Sequence, residues 1–70
     1  MSMNRDDRRK MKKRLAPIAR RIALLEKQIK NNVNVDAATL EIEQLMSGLD
    51  MIEMMAIEDY IVSNHLLDNK

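Results

Sequence analysis

The sequence predicts an all-α fold, a small helical hairpin or three-helix unit with helices over about residues 4–31, 37–47 and 51–66. Three observations carry that expectation. Apolar residues recur at helical spacing through the first half, acidic or amide residues stand where helices need N-terminal caps, and the one Gly falls between two apolar-periodic stretches.

The first helix rests on Met11, Leu15, Ile18, Ile22, Leu25 and Ile29, which step by 4, 3, 4, 3 and 4 in a heptad seam of the coiled-coil type. Lys13, Arg20 and Lys27 fall on the opposite side. Asn4 stands as its cap, and Asp6 and Asp7 in the first turn suit the positive end of the helix dipole. Pro17 removes the hydrogen bond to the Lys13 carbonyl and disfavours helical geometry at Ala16. Because the seam keeps its phase across Pro17, one kinked helix is expected rather than two. The alternative leaves residues 1–14 as a flexible basic arm.

Asn31-Asn32-Val33-Asn34-Val35 ends this helix. Asp36 reads as the next cap, with Val35 and Leu40 at the spacing of a hydrophobic staple. Ser47-Gly48 then interrupts, and Asp50 with Glu53 has the spacing of a capping box. The stripe Ala38, Ile42, Leu45, Leu49, Ile52 and Ala56 would also allow one long second helix. In the third helix Met51, Ile52, Met54, Met55, Ala56, Ile57, Tyr60, Ile61 and Val62 surround the axis, and a helix apolar all round is a buried one.

Seventy residues make a single domain, 1–70, that buries only about 60% of its unfolded surface and has marginal stability. No Cys is present to form a disulfide, and one His cannot hold a zinc ion alone. The expected staple is dimerisation or docking on a partner. Apolar runs such as Met54-Met55-Ala56-Ile57 fall far short of the roughly 18 residues of a membrane span, and no apolar signal core follows the early basic residues. Together with the missing Cys, this gives the expectation of a cytoplasmic protein without membrane contact.

Catalysis finds little to work with. Ser2, Ser47, Ser63 and the lone His65 are the only candidates for a nucleophile and its base, and no Glu has a His three residues on as a di-metal carboxylate bundle requires. The single Gly excludes glycine-spaced phosphate loops. Neither an enzyme nor a cofactor is expected, and His65 reads as a helix-end surface residue.

Charge is divided between the halves. Residues 1–35 hold eleven Lys or Arg against three acids, and residues 36–70 hold one Lys against eight acids, so formal charges of +8 and −7 hide behind a net +1. Folded back on itself, the chain would neutralise much of its own field. The expected function is that of a non-enzymatic interaction module, an adaptor or inhibitor that acts by occupying a protein partner, of the small regulatory type common in phages and mobile elements. Its candidate partner or self-association residues are Leu15, Ile18, Ile22, Leu25 and Ile29 of the seam with Met51, Met54, Met55, Ile57 and Ile61 of the third helix. Methionines there would supply adaptable contacts. The alternative is a nucleic-acid-binding protein using the basic patch Arg5, Arg8, Arg9, Lys10, Lys12, Lys13 and Arg14, seven cations in ten residues. Against it stand the absence of an aromatic residue in that segment and the tethered acidic half. A helix-turn-helix pivoting on Gly48 would offer bases Met51-Ile52-Glu53-Met54-Met55, almost without donors.

Ser47-Gly48-Leu49-Asp50 faintly resembles the Ser-Gln-any-Leu-Asp motif of short sporulation phosphatases, which are helical hairpins. The Gln is absent and the spacing is one residue short, so the resemblance identifies no family.

Overall fold

In the computed structural model, which describes residues 4–68, three helices follow one another: α1 (Arg5–Lys30), α2 (Val35–Met46) and α3 (Met51–Ser63). The fold is all-α, and among the described residues no strand is present. At about 1.5 Å per residue the 26 residues of α1 span about 39 Å, so α1 runs nearly the 41 Å length of the molecule. Both other helices pack on it, and they touch each other little. Arg14 meets Glu53 and Arg20 meets Tyr60, so α3 ascends beside α1 in the same direction. The order is therefore up, down, up.

The heptad seam faces inward throughout. Leu15, Ile22 and Leu25 are buried and Met11, Ile18 and Ile29 half-buried. Asn4 caps α1 by accepting from the Asp7 N–H at 2.8 Å, and of the alternative arm 1–14, residues 5–14 are part of the helix while residues 1–3 lie outside the described residues. Pro17 sits on the exposed side of an uninterrupted α1, where its missing N–H leaves the Lys13 carbonyl open to water.

The ends of the helices correct two boundaries. Helix α2 starts at Val35, not at 37, because Asn34 takes the left-handed conformation (φ 46°) and turns the chain there, and its carbonyl accepts the Ala38 N–H at 2.9 Å. Asp36 is thus a first-turn carboxylate rather than the cap, and Leu40, 57% exposed, forms no staple. Helix α3 ends at Ser63 rather than near 66. His65 (φ 53°) supplies a left-handed residue, its N–H reaches the Val62 carbonyl at 3.1 Å, and the Leu66 N–H reaches Ile61 at 3.0 Å. That pair of bonds is a Schellman stop, and it swings Leu66 back onto the core. Asn32 (φ 59°) ends α1 by the same device, with Val33 bonded to the Gln28 carbonyl at 2.8 Å.

Between α2 and α3 the chain breaks at Ser47-Gly48, so the single long second helix is not formed. Asp50 accepts from the Glu53 N–H at 2.8 Å while Glu53 accepts from the Asp50 N–H at 3.1 Å, a complete capping box.

The core contains a feature that the seam does not announce. Ala19 is fully buried and Ala23 nearly so, and with Leu15 and Ile22 they form the floor on which Ile57 and Ile61 of α3 rest. Small side chains at 19 and 23 let the α3 backbone approach closely, with half-buried Ala56 on its own side.

Candidate interaction surface

The apolar girdle of α3 resolves into two sides. A residue every 100° places Ile57 and Ile61 together, and these two are buried against α1. Met51, Met55 and Val62, four and then seven residues apart, fall on the other side and stay 72%, 63% and 67% exposed. Ile52, also exposed, borders Met55, and Glu58 and Asp59 stand between Met55 and Val62. Leu24 and Leu40 are exposed singly on other helices, and isolated apolar side chains on a surface need no special account.

The ten residues named as partner or self-association candidates thus divide. Leu15, Ile22, Leu25, Ile57 and Ile61 lie in the chain's own core, Ile18, Ile29 and Met54 are half-buried beside it, and Met51 and Met55 remain open to solvent. Leu15, Ile22 and Leu25 of the seam are thus packed within the monomer. Ile52 and Val62 complete the open stripe. Their signal was the spacing itself, since 51, 55 and 62 share one side of a helix and 57 and 61 the other.

The charge division is used partly inside the fold. Arg21 holds Glu41 with two bonds, Nε to Oε2 at 2.6 Å and Nη2 to Oε1 at 2.9 Å, tying α2 to α1. Arg14 pairs with Glu53, whose other oxygen completes the α3 capping box, so one carboxylate joins cap and tertiary contact. Arg20 Nη1 donates to the Tyr60 hydroxyl at 2.8 Å. The Arg21 bonds hold the Glu41 carboxyl below the usual carboxylate range, and the Arg14 bond, followed by the Asp50 N–H, does the same for Glu53.

Of the basic patch, Arg14 is committed to Glu53, while Arg5, Arg8, Arg9, Lys10, Lys12 and Lys13 are exposed and take part in no ion pair among the described residues. Arg5, Arg8, Arg9 and Lys12 line one shallow hollow on one side of α1. Lys12 also borders a second hollow, about 270 Å³, whose far wall is Asp59, Tyr60 and Ser63 of α3. The basic side of α1 therefore adjoins the acidic edge of α3.

A larger groove of about 510 Å³ runs between α1, the end of α2 and α3, lined by Ile22, Met46, Met54, Ile57, Ile61 and Leu67, and Val62 of the outer side reaches its edge with Glu26 and Glu58. No group of three or more His, Cys, Asp or Glu side chains able to hold a metal ion occurs among the described residues. His65 is exposed, and its Nδ1 lies 2.8 Å from Asp68 Oδ2. No helix among the described residues is long and apolar enough to cross a membrane. No family model, no curated protein and no solved structure matches the chain. Asp50, the last residue of the Ser-Gly-Leu-Asp stretch, is engaged as the α3 cap.

Proposed function

We propose that the protein is a non-enzymatic helical interaction module that docks on a protein partner through the outer side of α3. The observation that carries this reading is the set Met51, Ile52, Met55 and Val62, exposed on a helix whose other side already supplies the core, with Glu58 and Asp59 between Met55 and Val62. Burying each such side chain contributes about 1.5–3 kcal/mol before the costs of association are subtracted, and exposed ion pairs contribute about 0–1 kcal/mol. The apolar stripe therefore holds a complex, and the flanking charges steer its formation. Methionine side chains adapt their shape to a partner's relief.

The test is capture of partners from cells that encode the protein, before and after nuclease treatment. A protein partner that resists nuclease and about 0.5 M salt, and that is lost with Met55→Glu while helicity is kept, is the expected result. Undiminished capture by Met55→Glu would sink the reading. The second reading, nucleic-acid binding, is favoured by the exposure of Arg5, Arg8, Arg9 and Lys12 along one side of α1. Its signature would be retention on duplex DNA at low salt, with a log–log salt slope of about −0.9 per phosphate neutralised.

A further inference from the structure

We infer that the first occupant of the α3 outer side is a second copy of this chain, docked through the basic side of its own α1 in a two-fold dimer. The inference rests on reading that side of α3 as a docking surface, and charge decides the occupant. Outside residues 1–35 the sequence has a single cation, Lys70, so α3 has none of its own to set against Glu58 and Asp59. A face-to-face α3 pair would bring four carboxylates together and is disfavoured. The complementary surface is present on the same molecule, since Arg5, Arg8, Arg9 and Lys12 form one basic side that pairs with nothing among the described residues.

Placement makes the match reciprocal. Lys12 and Asp59 border one hollow, so the basic side of α1 adjoins the Asp59 edge of α3, beside the outer stripe. A two-fold axis near this junction lays the basic side of each copy over the α3 stripe of the other, and an isologous contact of this kind forms twice and closes. From Arg5 to Lys12 the basic side is about 11 Å long, and from Met51 to Val62 the stripe is about 17 Å, at 1.5 Å per residue. Arginine and lysine stems then cover Met51, Met55 and Val62 while their heads reach Glu58 and Asp59. The contact is small, at the low end of specific interfaces, so it forms in the micromolar range and weakens with salt.

Charge exchange between two copies tests this directly, read by sedimentation equilibrium from about 1 to about 500 µM. One variant carries Arg8→Glu and Arg9→Glu, the other Glu58→Arg and Asp59→Arg. The wild type is expected to dimerise, each variant alone to bind itself more than about tenfold more weakly, and an equimolar mixture to recover a one-to-one heterodimer, because both contacts are restored only between unlike chains. Circular dichroism establishes that each variant is folded. Should a reversal unfold the chain, the neutral pairs Arg8→Gln with Arg9→Gln and Glu58→Gln with Asp59→Gln read the same loss, and the wild-type dimer must weaken between about 0.05 and 0.5 M salt. A wild type that stays monomeric throughout, or folded variants that fail to associate when mixed, overturns the proposal. If Met55→Glu still abolishes capture of a protein partner in that event, the α3 reading stands and only the second copy falls. A monomer that instead retains duplex DNA through Arg8 and Arg9 assigns the basic side to nucleic acid.

Discussion

The two sides of α3 differ less in composition than in what covers them. Ile57 and Ile61 are buried on Ala19 and Ala23 of α1, while Met51, Met55 and Val62, as apolar as those two, face solvent. A short helix touches one neighbour on one side, and α2 packs on α1 instead of over α3. Apolar character alone therefore does not separate a side chain that folds the protein from one available to a partner. What separates them is the helical angle and the size of the residue opposite. The inner side has small alanines to receive it, and the outer side has none.

Substitutions on the two sides should consequently fall on different measurements. Ile57→Ala removes a 3% exposed side chain from the α1 contact and is expected to cost about 2–5 kcal/mol in denaturant unfolding. Met55→Ala, on the outer side, is expected to change stability by no more than about 0.5 kcal/mol. Equal losses at the two positions would show that the sides are not distinct. Enlarging the receiving surface tests the same contact from α1. Ala19→Leu adds bulk where Ala19 has no exposure, and overpacking of that kind costs about 1–3 kcal/mol. A midpoint unchanged from wild type would mean that α3 does not approach α1 so closely.

How much of this was legible in the sequence follows from what each signal can encode. The α1 seam was readable because six large apolar residues keep one phase from Met11 to Ile29, and phase survives Pro17. Asn4, Asp50 and Glu53 were readable because caps act over three residues and carry their own chemistry. The start of α2 was not, because Asn34 turns the chain by backbone conformation and forms no side-chain cap bond, while Asp36 imitated a cap from within the first turn. The stop at His65 was hidden similarly, since the chain turns there by backbone conformation and the Schellman bonds are made by backbone groups. Alanine carries little periodic weight, so Ala19 and Ala23 gave no hint that they receive α3. Assigning seam and girdle together to a partner followed from that gap. With the floor unseen, no place remained inside the monomer for Ile57 and Ile61.

The loop that separates α2 from α3 offers smaller effects. Asp50→Ala removes the acceptor of the Glu53 N–H while keeping the backbone N–H that the Glu53 carboxylate accepts, and a cap of this kind contributes about 0.5–2 kcal/mol. Retention of wild-type stability would mean that the box is dispensable once α3 is docked. Gly48 has an ordinary backbone conformation and a Cβ there would meet nothing within 4 Å. Gly48→Ala is thus expected to stabilise by about 0.4–1 kcal/mol through the unfolded chain. Destabilisation would show that this position needs the freedom of glycine.

The smallest effect belongs to the ion pairs that tie α2 and α3 to α1, since the arginine of each is exposed and water screens them. Glu41 and Glu53 are each held below the usual carboxylate range, by Arg21 and Arg14 respectively. A carboxylate with a lowered folded-state value contributes stability that is present above its unfolded value, near pH 4.3, and lost as pH falls through the folded one. Unfolding midpoints should therefore hold steady toward neutral pH and decline on acidification below about pH 4.3. In Glu41→Gln the Arg21 pair is absent at every pH, so its midpoint should lie slightly lower near neutrality and converge on the wild type in acid. Arg20 and Tyr60 provide the contrast, because their bond involves no carboxylate. Tyr60→Phe should lower the midpoint by the same small amount at pH 3 as at pH 7. If the Glu41→Gln difference instead stays constant through acid, the pair tying α2 to α1 contributes nothing that depends on its charge.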